Sequence, residues 1–208
     1  MTAAEAAVKV AARLGVRCID PVILADGANV IVYLRPAPVV AKVAASTPAV
    51  RPGPAAWLQR ELDVTRFLAG RGAPVVAPSP EVPATVYHGD GQVMSFWQYV
   101  DSSGDALPGE VTIGSMLRDL HAALRDYPGR APVLAPLGDI PAFLARPQTI
   151  LVAAQAAAVA AAYARLTAEL DPHPAQPLHG DAGAGNLMAT GSGWVWHDFE
   201  DTCSGPVA

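Results

Sequence analysis

The stretch LHGDAGAGNLM, residues 178–188, and the WVWHDFED that follows it, residues 194–201, carry most of what the chain says about its fold. Between Asn186 and Asp198, two short apolar runs flank Thr-Gly-Ser-Gly at 190–193, which reads as strand, turn and strand. Such a hairpin returns Asp198 to the end at which Asn186 lies, and Asp181 stands five residues before Asn186. A lone Asp or His beside a Gly-rich turn is ordinarily a cap or a turn former. The full set resists that reading, because two carboxylates held about 4 Å apart repel by about 4 kcal/mol at an effective dielectric of 20. A bound cation removes the penalty.

Chemistry gives the spacing a purpose. Moving a phosphoryl group from a nucleotide needs a carboxylate beside the acceptor hydroxyl and oxygen ligands for the cations on the phosphates. Asp181 suits the first need, while the amide oxygen of Asn186 and the carboxylate of Asp198 suit the second. A competing reading gathers His179, Asp181, His197 and Asp198 into a hydrolase metal cluster. It leaves the upstream features unexplained, and strand alternation predicts His197 on the face opposite Asp198.

Upstream, residues 20–44 read as strand, Gly-containing turn, strand, Pro-rich break and strand. Lys42 is the only charge in VVAKVA, and alternation sets Val40, Lys42 and Ala44 on one face with Val39, Ala41 and Val43 on the other. A lysine at a strand edge can simply discourage aggregation. Inside a strand it needs a partner, and AAWLQRELDVTRFLAG, residues 55–70, offers one. On that helix Trp57, Glu61, Val64 and Leu68 recur at intervals of four and three, so Glu61 sits on an apolar, inward stripe, while Arg60 and Asp63 mark a wet face. Two strands are predicted around His88-Gly89-Asp90-Gly91, and EVTIGSMLRDLHAALRDYPG, residues 110–129, is predicted as a helix with Ile113, Met116, Leu117, Leu120 and Leu124 on one side. His121 reads as a packed helix histidine. Residues 137–171 supply further helical material, and the Pro-rich DPHPAQP leads into the 178–188 loop.

HGD, then four residues and an Asn, then a strand ending in Asp resembles the aminoglycoside phosphotransferase family, with its choline kinase-like members. The resemblance implies an α+β, two-lobed protein-kinase-like fold. Residues 1–100 would form an antiparallel-sheet nucleotide lobe with one main helix and a hinge near 98–101, and residues 101–208 a mostly helical catalytic lobe. It implies that Asp181 is the catalytic base and that Asn186 and Asp198 bind Mg2+. Lys42, held by Glu61, would grip the phosphates of ATP or GTP beneath the turn Gly27, Ala28 and Asn29. Gln98, Tyr99 and Val100 would pair with the base through their backbone. The acceptor would be a hydroxyl of a small molecule: aminoglycoside-like, choline-like, or a sugar or amino alcohol. The alternative is a catalytically inactive kinase-like chain that binds a nucleotide or a partner.

Gly180 and Gly183 stand where protein kinases place Arg and Lys, and Phe199-Glu200-Asp201 stands in place of Phe-Gly with no activation segment after it. These differences favour a small-molecule kinase. Ala184 replaces the Pro common in the family's loop. Family members continue through further helices beyond the position of Ala208, so an incomplete second lobe with exposed apolar area is expected.

Composition allows a substantial core, in one large domain or two small lobes: 208 residues, 51% hydrophobic, formal net charge -5. The charge and the lack of a Lys/Arg cluster argue against nucleic-acid binding. Cys18 and Cys203 have neither metal nor disulfide spacing, which fits a reducing, cytoplasmic setting. MTAAEAAVKVAARLGV reads as a surface helix. The Ala-rich run 150–164 is short for a membrane span and is predicted as a buried or half-buried helix. No partner other than the small-molecule acceptor is indicated, and the oligomeric state is not set.

Overall fold

A computed structural model of the chain describes residues 1–46, 51, 53–102, 104, 107–146, 151–170 and 175–206. It has two lobes. In the first, β1 (Cys18–Asp26), β2 (Asn29–Pro36), β3 (Val39–Ala44), β4 (Tyr87–Gly89) and β5 (Gln92–Gln98) form one antiparallel sheet in the order β1-β2-β3-β5-β4. The expected hairpin at His88–Gly91 is the β4–β5 turn. Its two central residues, Asp90 and Gly91, both have positive φ (52° and 80°), which suits the twist of a tight hairpin.

Alternation along β3 holds throughout. Val39, Ala41 and Val43 face α1 (Ala3–Arg13), which buries Ala6, Ala7, Val10 and Ala11 against them. A capping box starts this helix, with the Thr2 hydroxyl accepting from the Glu5 N–H and Glu5 accepting from the Thr2 N–H. The predicted surface helix is thus half packed. Val40, Lys42 and Ala44 face the other way, toward α2 (Pro54–Gly70), where Val40 meets Leu62 and Ala44 meets Trp57 and Leu58. Trp57, Glu61, Val64 and Leu68 are all buried, as the intervals of four and three required.

The second lobe contains α3 (Glu110–Leu124), α4 (Ala135–Leu144) and α5 (Ala153–Leu170), the hairpin β7 (Leu187–Thr190)–β8 (Gly193–Trp196), and the pair β6 (Ala175–Leu178)–β9 (Cys203–Pro206). The Pro-rich approach at 171–174 and residues 147–150 lie outside the described residues. The lobes are joined by a shared core in which Val64 and Leu68 of α2 pack with Leu120 and Leu124 of α3, Trp196 and Phe199. Burying each of these large side chains contributes about 1.5–3 kcal/mol.

One expectation fails. The Ala-rich helix α5 is exposed along nearly its whole length rather than buried or half-buried. Alanine favours helix without needing a partner and has little side-chain area to gain from one, so an apolar composition did not imply burial. No helix among the described residues is long and apolar enough to cross a membrane.

Candidate active site

Lys42, near the middle of β3, directs its ammonium to the interface of the lobes, where three carboxylates meet it. Glu61 of α2 accepts through both oxygens at 2.9 and 3.0 Å, Asp198 at 2.5 Å, and Glu200 lies 2.9 Å away. Lys42, Glu61 and Glu200 are buried. Burial alone would lower the Lys42 pKa, but Glu61, Asp198 and Glu200 outweigh it and hold the ammonium charged. Burial raises the Glu61 carboxyl to about 7 despite Lys42, because the two neighbouring carboxylates add to the cost of its charge. Burial would raise Asp198 too, yet the lysine against it and the nearby histidines leave it below the usual carboxylate range.

Asp198 follows β8 and has φ 62°, ψ 60°, a left-handed conformation that Asp tolerates better than most residues. The next three residues form a 3-10 turn, Phe199–Asp201, pinned from the first lobe. Phe199 N–H donates to Glu61 Oε1 at 3.1 Å, Arg60 donates to the Glu200 carbonyl at 3.0 Å, and Arg51 pairs with Asp201 at 2.6 Å. Arg60, read from sequence as part of a wet face, is therefore engaged across the cleft.

The β7–β8 hairpin does what its sequence predicted. Leu187 pairs with Trp196, and His197 N–H donates to the Asn186 carbonyl at 3.0 Å, which sets Asn186 beside the strand end that carries Asp198. Asn186 Nδ2 donates to the Asp181 carbonyl at 2.7 Å and to its carboxylate at 3.0 Å, leaving the amide oxygen available. His179 joins the two segments. Its Nε2 bonds the His197 carbonyl at 3.0 Å and its Nδ1 accepts from the Asp181 N–H at 3.3 Å. A carbonyl can only accept, so Nε2 carries the proton. Burial pushes the His179 pKa down to about 4, which keeps the ring neutral. With both nitrogens engaged, His179 has no lone pair for a metal, and the hydrolase cluster loses its first ligand.

Gly180 is required by shape. It has φ 91°, and a Cβ there would lie 1.9 Å from the Asp201 carbonyl oxygen.

A cleft of about 490 Å³ lies between the lobes. Lys42, Glu61, Asp198 and Glu200 line its polar end, Gly27, Ala28 and Asn29 its roof, and Gln98, Tyr99 and Val100 its far wall. A Cβ on Gly27 would meet no atom within 4 Å, since that side opens into free space. The Asn29 side chain is not free to face a ligand, because its Nδ2 donates to Glu200 at 2.8 Å. Tyr99 N–H is taken by the Pro38 carbonyl at 2.9 Å, and the Tyr99 ring stacks on Tyr33 at 3.8 Å. Leu24, Ile31, Val76 and Met188, which the sequence did not single out, supply apolar walls.

Asn186 and Asp198 offer an amide and a carboxylate oxygen, the hard donors that suit Mg2+ or Ca2+. Among the described residues no group of three His, Cys, Asp or Glu is arranged to hold a metal, so these two would need ligands from a bound phosphate.

The sequence profile of the phosphotransferase enzyme family, APH, matches residues 23–208. The chain belongs to this family. It is 35% identical over 80 residues to a homoserine kinase of Burkholderia multivorans (strain ATCC 17616 / 249), a match spanning 36% of this chain and 24% of the relative. Its fold is similar to that of amicoumacin kinase hAmiN in complex with AMP-PNP, Ca2+ and Ami, with TM-score 0.71 and 15% identity over 96% of this chain. The chain spans 64% of that kinase's length. Choline kinase LicA from Streptococcus pneumoniae is similar at TM-score 0.61 and 13% identity, over 97% of this chain and 70% of that one.

Within this phosphotransferase-family fold, the cleft gathers Lys42, Glu61 and Asp198, while Asp181 and Asn186 stand beside it on the adjoining loop and do not line it. His197 corrects the sequence reading: it lines the same cleft as Asp198. Alternation no longer applies there, since β8 ends at Trp196 and Asp198 is left-handed. Glu200, Gly180 and the bridging role of His179 were not foreseen. The replacement of Gly by Glu200 after Phe199 was the one available signal for the first.

Proposed function

We propose that this chain carries the nucleotide-binding and catalytic apparatus of an ATP- or GTP-dependent phosphotransferase that phosphorylates a hydroxyl of a small molecule. The observation that carries the reading is the meeting of Lys42 with both Glu61 and Asp198 at the polar end of an interlobe cleft. Residues 1–100 are taken as the nucleotide lobe and 101–208 as the catalytic lobe. A nucleoside triphosphate donor fits a cytoplasmic place of action.

In this reading the base lies against the apolar walls and pairs with the backbone at 98–100. The Gln98 and Tyr99 N–H groups are already engaged, by the Ala77 and Pro38 carbonyls, so the Val100 N–H is the hinge donor. Lys42 binds the phosphates, and Glu61 fixes its direction. Asn186 and Asp198 would hold magnesium, which when bound offsets the phosphate charge. The Asp181 carboxylate accepts the acceptor hydroxyl's proton as its oxygen bonds the γ-phosphorus. The bond from the γ-phosphorus to the bridging oxygen breaks, leaving a phosphate ester and the nucleoside diphosphate. His179 and Asn186 orient Asp181 throughout. The names of the similar proteins, kinases of homoserine, amicoumacin and choline, support a small hydroxyl compound as acceptor.

Calorimetric titration with ATP, with and without Mg2+, tests the nucleotide site, and diphosphate release across a panel of amino alcohols, sugars and aminoglycosides tests the transfer. Asp181→Ala should lower turnover by about 10²- to 10⁴-fold with nucleotide affinity retained. Unchanged turnover would remove Asp181 from the chemistry.

A further inference from the structure

His197 lines the interlobe cleft but has no part in gripping phosphate, cation or acceptor. Its backbone is fully used, with the N–H on the Asn186 carbonyl and the carbonyl on His179 Nε2. Its ring makes no hydrogen bond among the described residues. Burial lowers the pKa of that ring, and the charges of Asp198 and Lys42 act on it in opposite senses, which sets it at the inner side of the cleft. In either charge state an imidazole carries at least one N–H.

The other donors on the inner wall are spent. Trp97 Nε1 donates to Ser95 Oγ at 2.9 Å, and the Thr65 hydroxyl donates to the Glu61 carbonyl at 2.7 Å. Lys42 is held by its three carboxylates, and Val40 and Val76 are apolar. A nucleobase in this cleft presents a definite edge to that wall. Pairing with the Val100 N–H takes its Watson–Crick edge, and its sugar has to leave toward the phosphate end at Lys42. The edge that remains carries N7 and the substituent at position 6. N7 is a bare acceptor in adenine and guanine alike, and pyrimidines have no such atom. Buried without a donor, N7 would lose the hydrogen bond that water gave it.

We propose that His197 donates its ring N–H to N7 of the base and so selects purine nucleotides as the phosphoryl donor. This role rests on the phosphotransferase reading above and adds a side chain to the recognition that the hinge performs with backbone. The same ring borders a second cavity of about 230 Å³ beside Ser102 and Gly185, so a place in holding the acceptor is the competing assignment.

The test is calorimetry on the full chain in Mg2+, titrated with ATP, with 7-deaza-ATP, in which a C–H replaces N7, and with CTP. The parent should bind ATP about two- to tenfold more tightly than 7-deaza-ATP. His197→Phe keeps a ring in the wall without an N–H, so it should bind those two alike, and its preference for ATP over CTP should fall. His197→Gln brings an amide N–H and should recover part of the difference. Equal affinities of the parent for ATP and 7-deaza-ATP would overturn the proposal before any variant is made. A ratio that keeps its parent value in folded His197→Phe would assign the ring to packing or to the second cavity, and would overturn it too. A parent chain that bound none of the three nucleotides would instead remove the phosphotransferase reading, and this role with it.

Discussion

Protonating His179 should loosen the loop that carries Asp181. The ring is fully buried, donates from Nε2 to the His197 carbonyl, and accepts at Nδ1 from the Asp181 N–H. A second proton would have to sit on Nδ1, facing that N–H donor to donor. Burial accordingly pushes the imidazole from 6.5 to about 4, and the His197 carbonyl with the Asp198 and Asp181 carboxylates restores only part of the loss. The folded pKa lies below the unfolded one, so the stability contributed by the neutral ring is complete above 6.5 and is lost as the pH falls toward 4. At about 1.4 kcal/mol for each tenfold change in proton affinity, the loss is on the order of 3 kcal/mol. Glu61 works in the opposite direction. Its folded carboxyl, raised from 4.5 to about 7, holds a proton that the unfolded chain gives up, so its contribution grows as the pH falls through that window. The whole-protein profile therefore mixes the two, and a variant is needed to separate them. His179→Asn keeps an acceptor near the position of Nδ1 and has nothing to titrate. Urea denaturation of both proteins between about pH 7.5 and 4 gives their stability difference at each pH. The advantage of the parent should shrink by about 3 kcal/mol over that range. Parallel profiles would refute a neutral, buried His179 as the link between the two segments.

Three further outcomes follow from the same geometry. Gly180→Ala should cost about 3 kcal/mol or more, since it combines a left-handed backbone with a Cβ driven into the Asp201 carbonyl, and chemical denaturation would show it. A near-neutral result would mean that the 180–201 contact is not close. Lys42→Met should destabilise by about 3–5 kcal/mol, because it leaves Glu61 and Glu200 buried without their cation. Part of that loss should return in acid as the Glu61 carboxyl, already raised by burial, takes up a proton, and a thermal scan against pH that shows no such recovery would count against the ion cluster. Asp198→Ala should abolish the magnesium-dependent part of ATP binding measured by calorimetry, and retained Mg-ATP affinity would exclude Asp198 as a metal ligand.

The parts legible in the sequence were those fixed by local period. Asn186 and Asp198 flank a hairpin whose turn residues are explicit, so their proximity follows from counting. Glu61 could be matched to Lys42 because helix and strand periods each point one charge at an apolar face. Glu200, by contrast, meets Asn29 across 171 positions, and no local pattern reports that contact. Gly180 looked like a missing arginine, whereas its smallness answers to the backbone of Asp201, which only tertiary structure brings there. His197 was misassigned because a left-handed residue interrupts the alternation on which the inference stood. The exposure of α5 escaped for a different reason: alanine content reports helix propensity and is silent about neighbours.

Residues 198–201 lie near the end of the numbering, yet each is tethered to the first lobe, through Lys42, Glu61, Asn29 with Arg60, and Arg51 in turn. In rigid-body terms this late segment should travel with the sheet whenever the cleft breathes. Asp181 goes with them, because His179 bonds both the His197 carbonyl and the Asp181 N–H, and Gly180 packs on the Asp201 carbonyl. Lys42, Asp181 and Asp198 would keep their relative places through such a motion, and what shifts against them is the remainder of the second lobe.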